Sequence, residues 1–322
     1  MTARPRILLY EFVHAEGWRA LGWDPPAESL RREGAAMLAA VSEDFSQLGD
    51  IELLVADSSF NHPTADWTLV IAPETDGALY RLCNEVERSG GRLLGPSPEF
   101  IRITSDKRAT AELLAAARVP VPRGRVLPAG TPLPRGFEYP AVLKPVDGAG
   151  SQDTWLVESF DAPSGRTDLP SNQQPRRLEE FCPGTPTSVA FLCGPSGRVA
   201  LLPCSQELST DGRFQYQGGT VPLEPAMARR AIALADRALA ALPAADGYIG
   251  VDLILGDDID GQGDRVIEVN PRMTTSYVGL RALCRHNLAR AMLQSAIGIV
   301  PELSWSDQSV KFGADGTVRR MR

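Results

Sequence analysis

The stretch from Arg265 to Tyr277, read as Arg-Val-Ile-Glu-Val-Asn-Pro-Arg-Met-Thr-Thr-Ser-Tyr, limits what this chain can fold into. Val266, Ile267 and Val269 are strand formers, and Asn270-Pro271 ends the run as a turn. Alternation puts Ile267 and Val269 on one face of the strand and Glu268 and Asn270 on the other. Two oxygen-bearing side chains two residues apart at a strand end suit a hard divalent cation, and Arg272 follows at once to hold an anion. Upstream, Tyr248 to Leu255 reads as a neighbouring strand with a single carboxylate, Asp252, inside an apolar run. A lone buried Asp is costly and calls for a partner. Asp252, Glu268, Asn270 and Arg272 therefore form a candidate metal–phosphate site. A hairpin with its polar residues in water is the competing reading, and the apolar setting of Asp252 disfavours it.

Elsewhere the chemistry is thinner. Tyr139 to Pro145 reads as a strand carrying Lys144 in an apolar run, and a buried ammonium needs an anion. Asp147-Gly-Ala-Gly-Ser-Gln152 follows, with glycines that let backbone amides approach phosphate oxygens. The lysine precedes the glycines and no helix follows at once, so this is not a Walker A loop. Lys107 lies near a helix start, where the dipole prefers anions; binding a phosphate resolves that misfit, and a solvated surface lysine is the alternative. Tyr216-Gln-Gly-Gly-Thr220 marks either a bulge or a close ligand approach.

The first hundred residues alternate strand and helix, which predicts a small parallel sheet. Strands are expected at 6–10, 51–56, 67–72 and 92–94, with helices at about 28–48 and up to Arg88. Glu11 and Glu74 fall at the ends of the first and third strands, where open α/β sheets bind ligands. Glu74 serves equally well as a helix N-terminal carboxylate, and His14 as an ordinary loop residue. Strands at 187–193, 199–202 and 214–216, a helix at 228–242, a last helix at 287–297 and an uninformative polar tail after Val300 complete the reading.

The order Lys107, Lys144-Pro145, Glu179-Glu180-Phe181, Gly250-Val251-Asp252 and Glu268 to Arg272 resembles that of the ATP-grasp carboxylate–amine ligases, from about Pro73 to Leu293. The run Asn270 to Gly279 is similar, more narrowly, to the tyramine–glutamate ligases of methanofuran biosynthesis and their bacterial relatives. The resemblance implies an N-terminal α/β pre-ATP-grasp domain (residues 1–103), then a two-lobed α+β ATP-grasp fold with a small lobe (104–180) and a large lobe (181–322). It implies ATP bound between the lobes with Mg²⁺, or Mn²⁺, on Asp252, Glu268 and Asn270. Lys107 and Lys144 would contact phosphates, as would Gly148, Gly150 and Ser151 of the glycine loop, and Glu179, Glu180, Phe181 and Cys182 would form the adenine hinge. Thr187 stands where many relatives carry a ribose-binding glutamate. Near Gln152 the basic residue of many relatives is missing.

The implied reaction is amide formation through an acyl phosphate, with Arg272 and Lys144 as catalytic groups. Arg272 stabilises the anion, an effect worth roughly 3 kcal/mol or more in a dry site. Glutamate is the implied acid and tyramine or a tyrosine-like amine the acceptor, with Thr274, Thr275 and Ser276 at the amino-acid end. An alkyl amine is mostly protonated at neutral pH, as lysine is with a pKa of about 10.4. A base is therefore needed, and Glu11 and Glu74 are the candidates. A ligase for other amino acids and a non-catalytic nucleotide-binding regulator are the alternatives.

Composition excludes other classes. The net charge is −7 and no basic run stands out, so nucleic acid is not an expected partner. The five cysteines show no CxxC spacing, which points to a reducing cytoplasm and away from a zinc site. No apolar stretch approaches the roughly 18 residues of a membrane span, and no leader is evident. A homodimer is compatible with this composition.

Overall fold

The computed structural model describes residues 4–57, 65–148, 152–161 and 174–321. In chain order, β1 (Arg6–Glu11) leads through the one-turn helix α1 (Gly17–Ala20) to α2 (Glu28–Ser46). β2 (Glu52–Val55), β3 (Trp67–Ile71), α3 (Ala78–Arg88) and α4 (Pro98–Thr104) follow. The three strands pair in parallel in the order β2-β1-β3. β1 is buried along almost its whole length, as expected of a parallel strand covered on both faces. Met37, Val41 and Phe45 of α2 join Ile7 and Leu9 in one core cluster. The fourth strand expected at 92–94 is only a single bridge between Thr68 and Leu93. The sequence reading did not anticipate α4, although Ser97 caps it by accepting the Phe100 amide and Pro98 takes the first turn.

The second layer opens with α5 (Lys107–Ala116) and the strands β4 (Gly124–Leu127), β5 (Ala141–Pro145), β6 (Trp155–Val157) and β7 (Arg176–Glu180). These four strands form an antiparallel sheet in the order β4-β7-β5-β6 around Leu127, Leu143 and Leu178.

The largest sheet uses β8 (Thr185–Gly194), β9 (Gly197–Ala200), β10 (Cys204–Leu208), β11 (Tyr216–Val221) and, after helix α6 (Pro225–Ala240), β12 (Gly247–Leu255) and β13 (Arg265–Asn270). Helices α7 (Ser276–Leu283) and α8 (Leu288–Ala296) precede β14 (Ser309–Gly313) and β15 (Val318–Met321). Its order is β13-β12-β8-β10-β11-β14-β15, with β9 beside β8. The polar tail is thus part of the sheet, not a featureless end. Ala231, Leu234, Ala235 and Ala238 of α6 pack against Val189, Ile249 and Val251. Truncating one such leucine to alanine typically costs about 2–5 kcal/mol.

Simple alternation fails at one place in β13. Asp252 faces Glu268 and Leu253 faces Val266, so Ile267 is an extra, bulged residue. Val266 and Val269 enter the core, while Ile267 joins Glu268 on the cleft side. The pairing of Ile267 with Val269 on one face is corrected accordingly.

The paired glycines of β11 also find their reason here. A Cβ on Gly218 (φ +135°) would meet the Phe312 carbonyl oxygen at 2.1 Å, and one on Gly219 would meet that of Ser205 at 2.2 Å. They permit close strand packing on both sides, which favours the structural reading of that segment.

Candidate active site

A cleft between the two antiparallel sheets gathers side chains from all three layers. At its centre β12 and β13 set Asp252 opposite Glu268, and Gly250 opposite Asn270. Asp252 accepts hydrogen bonds from Asn270 Nδ2 (2.9 Å) and Gln206 Nε2 (3.1 Å). Burial, and then the Glu268 charge beside it, push the Asp252 carboxyl up to about 6. Two carboxylates at adjacent strand positions, with Lys107 against Glu268 and the Arg272 charge nearby, offer anionic oxygens to a cation. Asn270 directs an amide hydrogen at Asp252, which leaves its carbonyl oxygen as a third hard donor. This donor chemistry fits Mg²⁺. Gly250 is required there, since a Cβ would come within 2.7 Å of the Thr274 methyl.

Lys107 Nζ lies 3.4 Å from Glu268 Oε1 and donates to the Gly148 carbonyl at 2.8 Å. The misfit with the helix dipole is answered by Asp106, whose carboxylate accepts the Arg108 and Ala109 amides at 2.8 and 2.9 Å. The lysine is thereby left to turn into the cleft. Gly148 sits at φ +122°, a conformation that favours glycine. Gly150 and Ser151 lie outside the described residues.

Lys144, buried in β5, finds its anion within the chain: it pairs with Glu179, which also accepts from Arg177 Nε at 2.9 Å. Glu179 is therefore a counter-ion as well as a residue of the segment expected to lie against adenine. Glu180 accepts from Arg123 Nε at 2.8 Å. Phe181 stacks on Phe214 at 6.3 Å between ring centres, and its amide donates to the Pro140 carbonyl. The Cys182 thiol is held up to about 11 by burial. Thr187 is turned away: it is fully buried, donates to the Thr185 carbonyl at 3.2 Å, and lies outside the cleft lining, whereas its neighbour Ser188 faces in.

At the other end Arg272 Nε donates to Glu74 Oε1 at 2.9 Å, and its NH1 to the Met273 carbonyl at 3.2 Å. Glu74 stands behind the arginine rather than in the cleft, and its Oε2 has no hydrogen-bond partner among the described residues. Thr274 and Ser276 are linked at 2.8 Å, and Tyr248 reaches Ser276 at 3.1 Å. Thr275 donates to Glu33 at 3.3 Å. Glu11 is not brought to the cleft: its carboxylate accepts the Val13 and His14 amides at 3.2 and 2.7 Å and secures the turn after β1.

Two further polar side chains line the cleft, Gln206 of β10 and Glu33 of α2, and Glu33 belongs to none of the motifs above. The signal for Glu33 was present: Leu30, Glu33, Met37 and Val41 share one helical stripe, so an acid takes a core-facing position.

Residues 104–276 match the family model of the ATP-grasp domain, and residues 57–101 that of the pre ATP-grasp 3 domain. The tyramine–L-glutamate ligase of Methanocaldococcus fervens is 27% identical over 247 residues, which is 77% of this chain and 71% of that one. Among solved structures, an ATP-grasp superfamily protein from Archaeoglobus fulgidus superposes with a TM-score of 0.71 at 23% identity, over 95% of this chain and 92% of the other. A carboxyaminoimidazole ribonucleotide synthase from Aspergillus clavatus, solved with ATP, gives a TM-score of 0.68 at 17% identity, over 97% and 82%. These two structural likenesses are likenesses of fold.

Proposed function

The chain belongs to the ATP-grasp family as an ATP-dependent carboxylate–amine ligase, and we propose that it joins glutamate to tyramine or a tyrosine-like amine. The reading rests on one observation: a carboxylate pair, two lysines and an arginine converge on a single cleft. The relative from M. fervens supports the choice of substrates, and by resemblance the product belongs to the assembly of a methanofuran- or methylofuran-type cofactor.

ATP lies between the small and large lobes, divided near residue 180, with its adenine against the segment Glu179 to Cys182. Asp252, Glu268 and Asn270 would hold Mg²⁺, which would screen the charge of the phosphates. Lys107 and Lys144 hold phosphate oxygens. To reach them, Lys144 shares its charge with Glu179, and Arg177 keeps that carboxylate neutralised. A carboxylate oxygen of glutamate attacks the γ-phosphorus, ADP leaves, and an acyl phosphate forms. Arg272 stabilises the anion at the transferring group, with Glu74 fixing the guanidinium from behind. Thr274, Thr275 and Ser276 orient the amino-acid end. The amine then attacks the acyl carbon and phosphate departs.

ADP release that requires both L-glutamate and tyramine, with the amide identified by mass spectrometry, is the expected result. ADP release with neither substrate dependence nor an amide product would overturn the reading.

A further inference from the structure

The amine needs a binding group, and neither acid expected at strand ends supplies it. Glu11 is occupied by two backbone amides and Glu74 by Arg272. Of the other cleft carboxylates, Glu179 is paired with Lys144, Glu180 with Arg123 and Glu268 with Lys107, while Asp252 accepts from Asn270 and Gln206 and Asp147 accepts the Asp76 amide at 3.0 Å. Glu33 differs. It reaches the cleft from α2, and among the described residues it makes no ion pair within 4 Å; its one hydrogen bond is the long contact from the Thr275 hydroxyl, 3.3 Å. Burial pushes its carboxyl upward, and Arg272 nearby offsets part of that cost. Glu33 also lines a second, more polar chamber, walled by Arg32, Trp155, Arg213, Tyr216 and Asp315, between α2, β11 and the β14–β15 turn. It therefore stands at the junction between the reaction cleft and a side entrance.

We infer that Glu33 is the group that receives the acceptor amine, a primary ammonium entering through the side chamber, and that it relays the proton the nitrogen must lose. The assignment rests on the ligase reading above. Held at Glu33, the nitrogen lies beside Thr275 and near Arg272, the end of the cleft where the acyl phosphate is formed. The nitrogen bonds to the acyl carbon as the carbon–oxygen bond to phosphate breaks, and that electron pair leaves on phosphate. Of the two protons the ammonium gives up, one passes through Glu33 to solvent and the other leaves with phosphate.

Hydroxylamine separates this role from the rest of the reaction, because it is uncharged at neutral pH and reports acyl phosphate as a hydroxamate. Wild type, Glu33→Gln and Glu33→Asp are compared with L-glutamate as donor. The acceptors are tyramine, a mixture of the common amino acids, and hydroxylamine. Glutamine preserves an acceptor for Thr275 but carries no charge. Glu33→Gln should raise the KM for the charged amine by roughly tenfold or more, the size of a lost charged hydrogen bond. Its effect on hydroxamate formation and on the Kd for ATP should be much smaller, and Glu33→Asp should recover part of the loss. Equal losses with hydroxylamine and with the charged amine, or an unchanged amine KM, would overturn the assignment. Failure of the wild type to form hydroxamate from glutamate would instead overturn the ligase reading.

Discussion

Several arginine–carboxylate pairs tie the N-terminal domain to the large lobe, and two of them are built to different standards. In the interior, Asp44 of α2 accepts both Nε and NH2 of Arg281 at 2.9 and 2.7 Å, and also the Tyr277 hydroxyl. Its backbone carbonyl takes Asn287 Nδ2 at 2.8 Å. Both carboxylate oxygens are satisfied. In the cleft, Glu74 accepts Arg272 through one oxygen only, and its other oxygen has no partner among the described residues. A fully bonded pair holds two bodies in register, and removing Asp44 would leave Arg281 with the exposed Glu43 alone and take the partner from the buried Tyr277 hydroxyl. A partly bonded pair keeps a guanidinium aimed while leaving it capacity for a ligand. The same residue types thus serve as a rivet in one place and as a mount in the other.

The largest effect is expected at the rivet. Asp44→Ala should lower the free energy of unfolding by about 3–5 kcal/mol, measured by urea titration without nucleotide. A loss below about 1 kcal/mol would make the two pairs equivalent. Next in size is the mount. Arg272→Lys, which leaves a cation beside the buried Glu74 but removes the fork of donors, should cost about 10²-fold in turnover, as loss of one preorganised donor does, with a much smaller change in thermal midpoint. A collapse of the apo protein would instead make Arg272 a second rivet.

At Asp252 the sign is reversed. Its carboxyl is held at about 6, above the ordinary 3.8, so the fold disfavours its ionised form. Below 3.8 the group is protonated whether folded or unfolded and there is no penalty; above about 6 the penalty is complete. Asp252→Asn should therefore stabilise the metal-free protein at pH 7, on the order of 1–3 kcal/mol, with the gain fading toward pH 4. The same change should abolish stabilisation by Mg²⁺ and ATP. A variant less stable than wild type at both pH values would count against the metal assignment. The smallest effect is expected from Glu74→Gln, which keeps an acceptor for Arg272 Nε but removes the charge: about a fivefold loss in kcat with little change in the ATP Kd.

Much of the candidate site was legible because polar residues inside apolar runs are expensive. That logic found Asp252 and Lys144 without any structure, and the strand-end argument found Glu268, Asn270 and Arg272. The same logic did not say where the partner of Lys144 would come from. An anion was required, and the fold supplies Glu179 from the neighbouring strand. Glu11 shows the opposite limit: a carboxylate at a strand end suits a ligand or two nearby amides equally well, and only the turn geometry decides. The bulge at Ile267 was invisible because one extra residue leaves no compositional trace. Glu33 was legible in principle, through its place on the apolar stripe of α2, but a single acid there is also tolerated at a half-exposed helix edge. The tail was passed over because a short edge strand buries few side chains. In β14 only Val310 and Phe312 face inward.

That tail has a practical consequence. A chain cut after Val300 would retain every residue proposed to touch ATP or Mg²⁺, and so looks dispensable from the motifs alone. Yet β14 covers β11 along Gly218 to Val221, and Phe312 sits against Gly279 at the foot of α7. Without it, β11 becomes a bare sheet edge with two glycines and no side-chain guard, open to pairing with another molecule. Shortened versions of this protein should fail by self-association before they fail in chemistry.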